Sequence, residues 1–252
     1  MTKPIALELY SVRNLYLKDF EACLQQTAAL GYRGVECFGP PTISAGRVAA
    51  ALEANDLALV GWHLPIETLE GKSLDETVSY LKTAGCPRAV VPWMPPETFA
   101  TEDNVKMFAD RMNHIADVLA PHGISVGYHN HDAEFVPLPD GILPWKVFMD
   151  HSRVFGQLDT GNALASKTPG LDLTRLVSLW PGRAETVHLK PYSYQTGYET
   201  MIGIDNVPWV AFVEAAVTIG KAEWLIVEYE EEKMYGQFEG AGLCIRALEE
   251  IL

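Results

Sequence analysis

Short apolar runs recur along the chain, each following a stretch of helical periodicity and a glycine. The phrase appears as "TAALGYRGVECF", "KTAGCPRAVVPW", "LAPHGISVGYHN" and "AVTIGKAEWLIVEY". Glycine suits the left-handed residue that ends a helix, and the runs after it are rich in β-branched and aromatic residues. The pattern predicts strands over Ile5–Tyr10, Gly34–Phe38, Ala58–Leu64, Ala89–Trp93, Ser125–His129, Gly156–Asp159, Thr186–Leu189 and Leu225–Tyr229. Between and after them it predicts helices over Asp19–Leu30, Ala45–Ala54, Ser73–Ala84, Thr101–Ala120, Pro144–His151, Leu173–Trp180, Pro208–Ile219 and Gln237–Ile251. Strands that alternate with helices imply parallel βαβ units. Eight such pairs in 252 residues predict an α/β fold, a single (β/α)8 TIM barrel filling one domain over residues 1–252. A doubly wound open sheet is the competitor, but its glycine-rich GxGxxG first turn is missing.

Barrel enzymes place their chemistry at the C-terminal ends of the strands. Those positions read Glu8, Glu36, His63, Trp93, His129 (followed by Asn130 and His131), Asp159, His188 and Glu228. Each has a bland explanation by itself. Asp159 in "QLDTGN" suits a turn, His188 suits a hydrogen-bonded core histidine, and Glu8 suits a polar layer inside the barrel. Their shared position at strand ends is the informative feature, because it converges carboxylates and imidazoles on one mouth. A divalent cation is the natural reason for such a gathering.

Composition narrows the partners. Hydrophobic residues make up 48% and charged residues 21%, an ordinary globular balance. The formal charge of −14 argues against nucleic acid or an anionic membrane, both of which want basic stripes. No apolar run approaches the about 18 residues that span a bilayer, and the first residues do not read as a signal peptide, so a cytoplasmic location is expected. Cys23, Cys37, Cys86 and Cys244 are far apart, form no CxxC pair and read as reduced and buried.

The blocks "LELYSVR", "GYRGVECFG", "GWHLP", "GYHNHDAEF", "LDTGNA", "VHLKPY" and "IVEYE" run the length of the chain in order. Together they resemble the sugar phosphate isomerase/epimerase superfamily, whose fold is the xylose isomerase-like TIM barrel. The resemblance implies a divalent metal (manganese, magnesium or zinc) held by residues ending strands five to eight. Asp159, His188 and Glu228 match the last three ligands, and His129 stands where the family has a glutamate. It also implies a metal-dependent isomerase or epimerase of a sugar, keto sugar or polyol derivative, removing a proton next to a carbonyl through a metal-stabilised enediolate.

Three departures bear on mechanism. The family's epimerases use two glutamates, one on each face of the sugar; here Glu228 remains and His129 replaces the other. His129 is expected as ligand or base, with His131 or Glu134 as second proton carrier. The family's D-x-x-H reads D-T-G-N, so Asn162 replaces a substrate-contacting histidine, and "HLKD" reads "HLKP", losing an acid at Pro191. Lys190 is a candidate to neutralise an enolate oxygen or a phosphate. Glu36, His63, Trp93, Asn130, Asn162 and Trp209 are candidate substrate contacts, Trp209 lying in "MIGIDNVPW", which resembles a family lid loop. The same chemistry can expel a β-leaving group, so a lyase or dehydratase of the inosose dehydratase kind is the nearest alternative. A non-catalytic sugar-binding barrel is the alternative from another class, and an AP endonuclease is disfavoured by the acidic pI of about 4.9. A small carbohydrate is the expected partner, and a homodimer is the default oligomer.

Overall fold

The computed structural model describes residues 3–252. Its eight strands are β1 (Ile5–Glu8), β2 (Gly34–Phe38), β3 (Ala58–His63), β4 (Arg88–Val91), β5 (Ser125–His129), β6 (Phe155–Gln157), β7 (Thr186–Leu189) and β8 (Trp224–Val227). The helices are α1 (Arg13–Lys18), α2 (Phe20–Ala29), α3 (Ala45–Ala54), α4 (Leu74–Ala84), α5 (Glu102–Leu119), α6 (Pro144–His151), α7 (Thr160–Ala165), α8 (Leu173–Ser178), α9 (Trp209–Thr218) and α10 (Gln237–Ile251). All strand pairs are parallel, in the order β6-β5-β4-β3-β2-β1-β8-β7. The sheet curls until β6 and β7 meet through one bridge between Asp159 and His188, with His188 N donating to Leu158 O at 3.0 Å. This is the (β/α)8 barrel that the strand–helix alternation predicts.

Local chemistry sets the element ends. Asp19, Thr101 and Asp172 accept hydrogen bonds from the backbone N–H three residues on, capping α2, α5 and α8. Gly85 closes α4 in the left-handed conformation, φ 74°. Several strands stop one or two residues earlier than the apolar runs suggest, because the polar residue at the run's end bends the chain. Glu8 accepts from Tyr10 N at 3.1 Å and starts a 3-10 turn, and Asp159 accepts from Asn162 N at 2.6 Å and starts α7. The helix α7 is unexpected from sequence, since its "TGN" reads as a turn.

The barrel interior is layered. At the N-terminal end Arg88 bonds Glu185 Oε2 (2.9 Å), Glu223 and Val60 O (3.2 Å). Above it lies a small apolar layer of Ala6, Val60 and Ile226. The next inward positions, two residues further along each strand, are Glu8 on β1 and Glu228 after β8, so the period of two that buries Ala6 and Ile226 also turns these carboxylates inward. Glycines make room: a Cβ on Gly127 would sit 2.4 Å from the Phe155 ring, and one on Gly61 would sit 2.3 Å from Glu36 Oε1. Outside the barrel, Tyr128, Trp145, Phe108 and Phe148 pack between strands and helices, with Phe108 and Phe148 stacked at 5.1 Å. All four cysteines are buried and unpaired. Among the described residues no helix is long and apolar enough to cross a membrane.

Candidate metal centre

His129 ends β5, Asp159 follows β6, His188 lies in β7 and Glu228 follows β8. Each offers one ligand atom, and these four atoms lie within 4.8 Å of one another, all buried. His188 Nδ1 is 2.7 Å from Glu228 Oε2 and 3.8 Å from Asp159 Oδ2. Asp159 Oδ1 is spent on the α7 cap, while Oδ2 is buried without a hydrogen-bond partner among the described residues. A buried, unpaired carboxylate oxygen is costly. Two imidazole nitrogens and two carboxylate oxygens, with one oxygen left open, fit a divalent cation. Two further groups, Glu8–Glu36–His63–His188 and His63–His129–His188, overlap it and continue the buried polar cluster.

The electrostatics follow from burial and pairing. Burial, partly offset by Lys190, pushes the Asp159 carboxyl up to about 7. Burial works against a charged His188, yet hydrogen bonds with Glu228 and Glu36 hold it well above the usual imidazole range. Burial and then the neighbouring His188 and His63 hold His129 well below that range. Burial opposes charge on Glu228 too, but Lys190 and His188 hold it well below the usual carboxylate range. Lys190 Nζ donates to Glu228 Oε1 at 3.1 Å, lies 3.3 Å from Glu230 Oε1, and sits over the Tyr198 ring at 5.2 Å.

The other sequence candidates fall into separate places. Asn130 pins the backbone of Asp159: its Oδ1 accepts from Asp159 N at 2.9 Å and its Nδ2 donates to Asp159 O at 3.3 Å. Asn162 Nδ2 faces His129 Nε2 at 3.3 Å, and Tyr198 Oη donates to Asn162 Oδ1 at 2.8 Å. Glu36 lies beneath the cluster, fully buried, bonded to His188 Nε2 (2.6 Å) and near His63 Nε2 (3.1 Å). The rings of His63 and His188 stack at 5.3 Å. His131 keeps a buried, unpartnered Nδ1, and burial, reinforced by Lys190, lowers it to about 4. Glu134 turns away to Tyr128 Oη and His131 N (3.2 Å). Trp93 is 53% exposed, whereas Trp209 is buried at the start of α9 with its indole donating to Asp205 Oδ1 at 2.9 Å.

Sequence reading missed Gln157 and Tyr198. Gln157 interrupts an apolar strand two residues before Asp159 and so shares its face, a signal present in the alternation. Tyr198 lies in the long β7–α9 connection, where no periodicity points to it.

Fold and cluster together define a (β/α)8 barrel with a mixed imidazole–carboxylate site at its C-terminal mouth. The chain belongs to the xylose isomerase-like TIM barrel family, whose model matches residues 24–249. A sugar phosphate isomerase/epimerase from Parabacteroides distasonis superposes with a TM-score of 0.80 at 21% identity, covering 97% of each chain. An L-ribulose 3-epimerase gives 0.71 at 14% identity, over 99% of this chain and 95% of that one. The IolI protein with a bound zinc atom gives 0.72 at 15% identity, over 99% and 98%. Among curated proteins, no significant match was found.

Proposed function

We propose that the protein is a divalent-metal-dependent isomerase or epimerase acting on a sugar, keto sugar or polyol derivative. The observation that carries this reading is the meeting of His129, Asp159, His188 and Glu228 within 4.8 Å, with Asp159 Oδ2 left without a partner. A divalent cation held by these four residues would supply Lewis acidity to the sugar's oxygens and stabilise the charge that develops as the neighbouring carbon loses its proton. The solved epimerase and isomerase relatives support sugar chemistry on this fold, and the zinc in the IolI protein supports a metal.

The chain's own groups divide the remaining work. Glu228 stays ionised between Lys190 and His188 and is the carboxylate assigned to accept the proton, which it does more readily once substrate draws Lys190 away. His131, neutral and with Nδ1 free, is the second proton carrier; Glu134 orders its loop instead. Lys190 Nζ and Asn162 Nδ2 present donors to substrate oxygens, and Trp93 forms an apolar wall at the mouth. Lys190 is already neutralised by Glu228 and Glu230, so the site favours an uncharged sugar over a phosphate ester.

A lyase on the same site is the second reading, favoured by His129 itself. An imidazole committed to a cation cannot also carry the proton that the missing glutamate would return. Losing a β-substituent needs no proton returned to that carbon.

The test has two parts. Elemental analysis of wild type, His129→Ala and His188→Ala should find near-stoichiometric metal in the first and loss in both variants. Incubation with ketoses and an inosose in deuterated water should wash deuterium into the carbon beside the carbonyl, with an isomer of equal heavy-atom composition as product. Loss of water or an aglycone would establish the lyase. Retained metal without exchange on any substrate would leave a sugar-binding barrel.

A further inference from the structure

We infer that Gln157 fixes the ring tautomer of His129 directly and, through Glu36, the orientation of the His188 ring, so that one nitrogen of each faces the candidate metal. The inference rests on the metal-centre reading above and assigns two positioning residues beneath it.

Gln157 is fully buried, and each end of its amide has its role dictated by its partners. Its Nε2 lies 3.0 and 3.1 Å from the two Glu36 oxygens and 2.8 Å from Thr186 Oγ1. An ionised carboxylate only accepts, so the NH₂ end must face Glu36. The opposite end, Oε1, then lies 2.7 Å from His63 Nε2 and 3.1 Å from His129 Nδ1. An amide oxygen cannot donate, so His129 Nδ1 carries a hydrogen. A neutral ring protonated at Nδ1 leaves its lone pair on Nε2. That is the atom facing the Asn162 amide donor at 3.3 Å.

The same logic runs through Glu36 to the second ring. Glu36 Oε2 accepts from His188 Nε2 at 2.6 Å, so that nitrogen is a donor. Nδ1 is left for the cluster, 2.7 Å from Glu228 Oε2 and 3.8 Å from Asp159 Oδ2. A cation held there would take the place of the hydrogen that Nδ1 shares with Glu228. Two different ring atoms, Nε2 of His129 and Nδ1 of His188, are thus turned to one point by one interlocked amide–carboxylate pair. Gly61 permits it, since any Cβ there would occupy the place of Glu36 Oε1 at 2.3 Å. Partners of this kind, behind a metal ligand, are worth about 10–100-fold in metal affinity.

Long-range proton–nitrogen correlation spectra of the metal-free, ¹⁵N-histidine-labelled full chain read the tautomers directly, with His129→Gln assigning the His129 signals. Manganese and zinc titrations measure affinity in parallel. Wild type is expected to show His129 protonated at Nδ1 only. Gln157→Met, which removes the acceptor, is expected to mix the His129 tautomers and weaken metal binding about 10–100-fold. Gln157→Glu, protonated on the oxygen that meets Glu36, keeps an accepting oxygen toward His129 and should keep that ring protonated at Nδ1, which a merely space-filling role does not require. If Gln157→Met does not fold, Thr186→Val loosens the same amide and should shift the tautomers in the same direction. His129 protonated at Nε2 in wild type, or a His129 ring unchanged in Gln157→Met and, where that does not fold, in Thr186→Val, overturns the inference. Wild type with the expected rings that binds neither metal overturns the metal-centre reading and leaves the tautomer assignment standing.

Discussion

Replacing Gly61 by alanine tests the packing beneath the cluster with one methyl group. Gly61 has no positive φ, so alanine adds no backbone strain there. The new Cβ would lie 2.3 Å from Glu36 Oε1, 3.3 Å from its Cδ and 3.6 Å from its Cγ. Non-bonded heavy atoms rest at about 3.5–4.0 Å, so the carboxylate has to retreat by about 1 Å. It has nowhere to go without lengthening bonds to His188, His63 or Gln157, all of which are buried. Overpacking of this kind costs about 1–3 kcal/mol. At about 2–4 °C per kcal/mol for a domain of this size, the melting temperature should fall by about 2–12 °C. Metal affinity should fall by about 10–100-fold, because the displaced carboxylate orients His188. Gly46→Ala is the matched control: it lies in α3 with no atom near its would-be Cβ, and should be neutral or stabilising by up to about 1 kcal/mol. Calorimetry with a zinc titration reads both effects. If Gly61→Ala melts and binds metal like wild type, Glu36 is not held as described and the reasoning fails.

Three further outcomes follow from the site. Burial raises Glu134 from the usual 4.5 to about 7, so the folded state holds a proton there that the unfolded chain has lost. Its contribution is therefore fully present below pH 4.5 and fades as pH rises through about 7, by about 3 kcal/mol in all; the stability difference between wild type and Glu134→Gln should drift in favour of the variant across that window and then level off. His131→Ala should lower deuterium wash-in by about 10²–10⁴-fold with metal content unchanged, and metal lost along with activity would contradict its role as a proton carrier. Chelation should lower the melting temperature, and zinc at about 100 times its dissociation constant should restore about 2.7 kcal/mol; a melting curve indifferent to both would count against a cation at this site.

The fold was legible from the alternation of apolar runs with helical stretches, and the site from polar residues that interrupt several of those runs at or near the strand ends, as His129 does in "ISVGYH" and Glu228 does in "LIVEY". Period-two alternation then places those side chains inward without knowledge of neighbouring strands. Three features were hidden. The helix α7 depends on the Asp159 cap and on packing against β7, which outweigh the turn preference of Gly161 and Asn162. Glu36 read as a substrate contact because sequence shows that it points inward but not that Gly61, on the next strand, lets it reach under His188. Gln157 was invisible as a hub because its partners Glu36, His63, His129 and Thr186 come from four other strands, and no local spacing encodes that meeting. Site membership could be read one residue at a time; the support beneath it exists only once the sheet has curled.

Among the described residues, neighbouring strands elsewhere in the barrel share two to five registered pairs, but β6 and β7 share none, and this edge is held by the Asp159–His188 bridge and by Gly156 N donating to Arg183 O at 2.9 Å. The hoop is thinnest at the two residues whose side chains turn toward the candidate cation. An ion gripping both would act as a clasp on that thin point, and its binding energy would be drawn partly from keeping the ring shut. Losing the ion and springing the hoop then become one event, so β6 and β7 would surrender their amide protons to solvent first whenever the clasp is open.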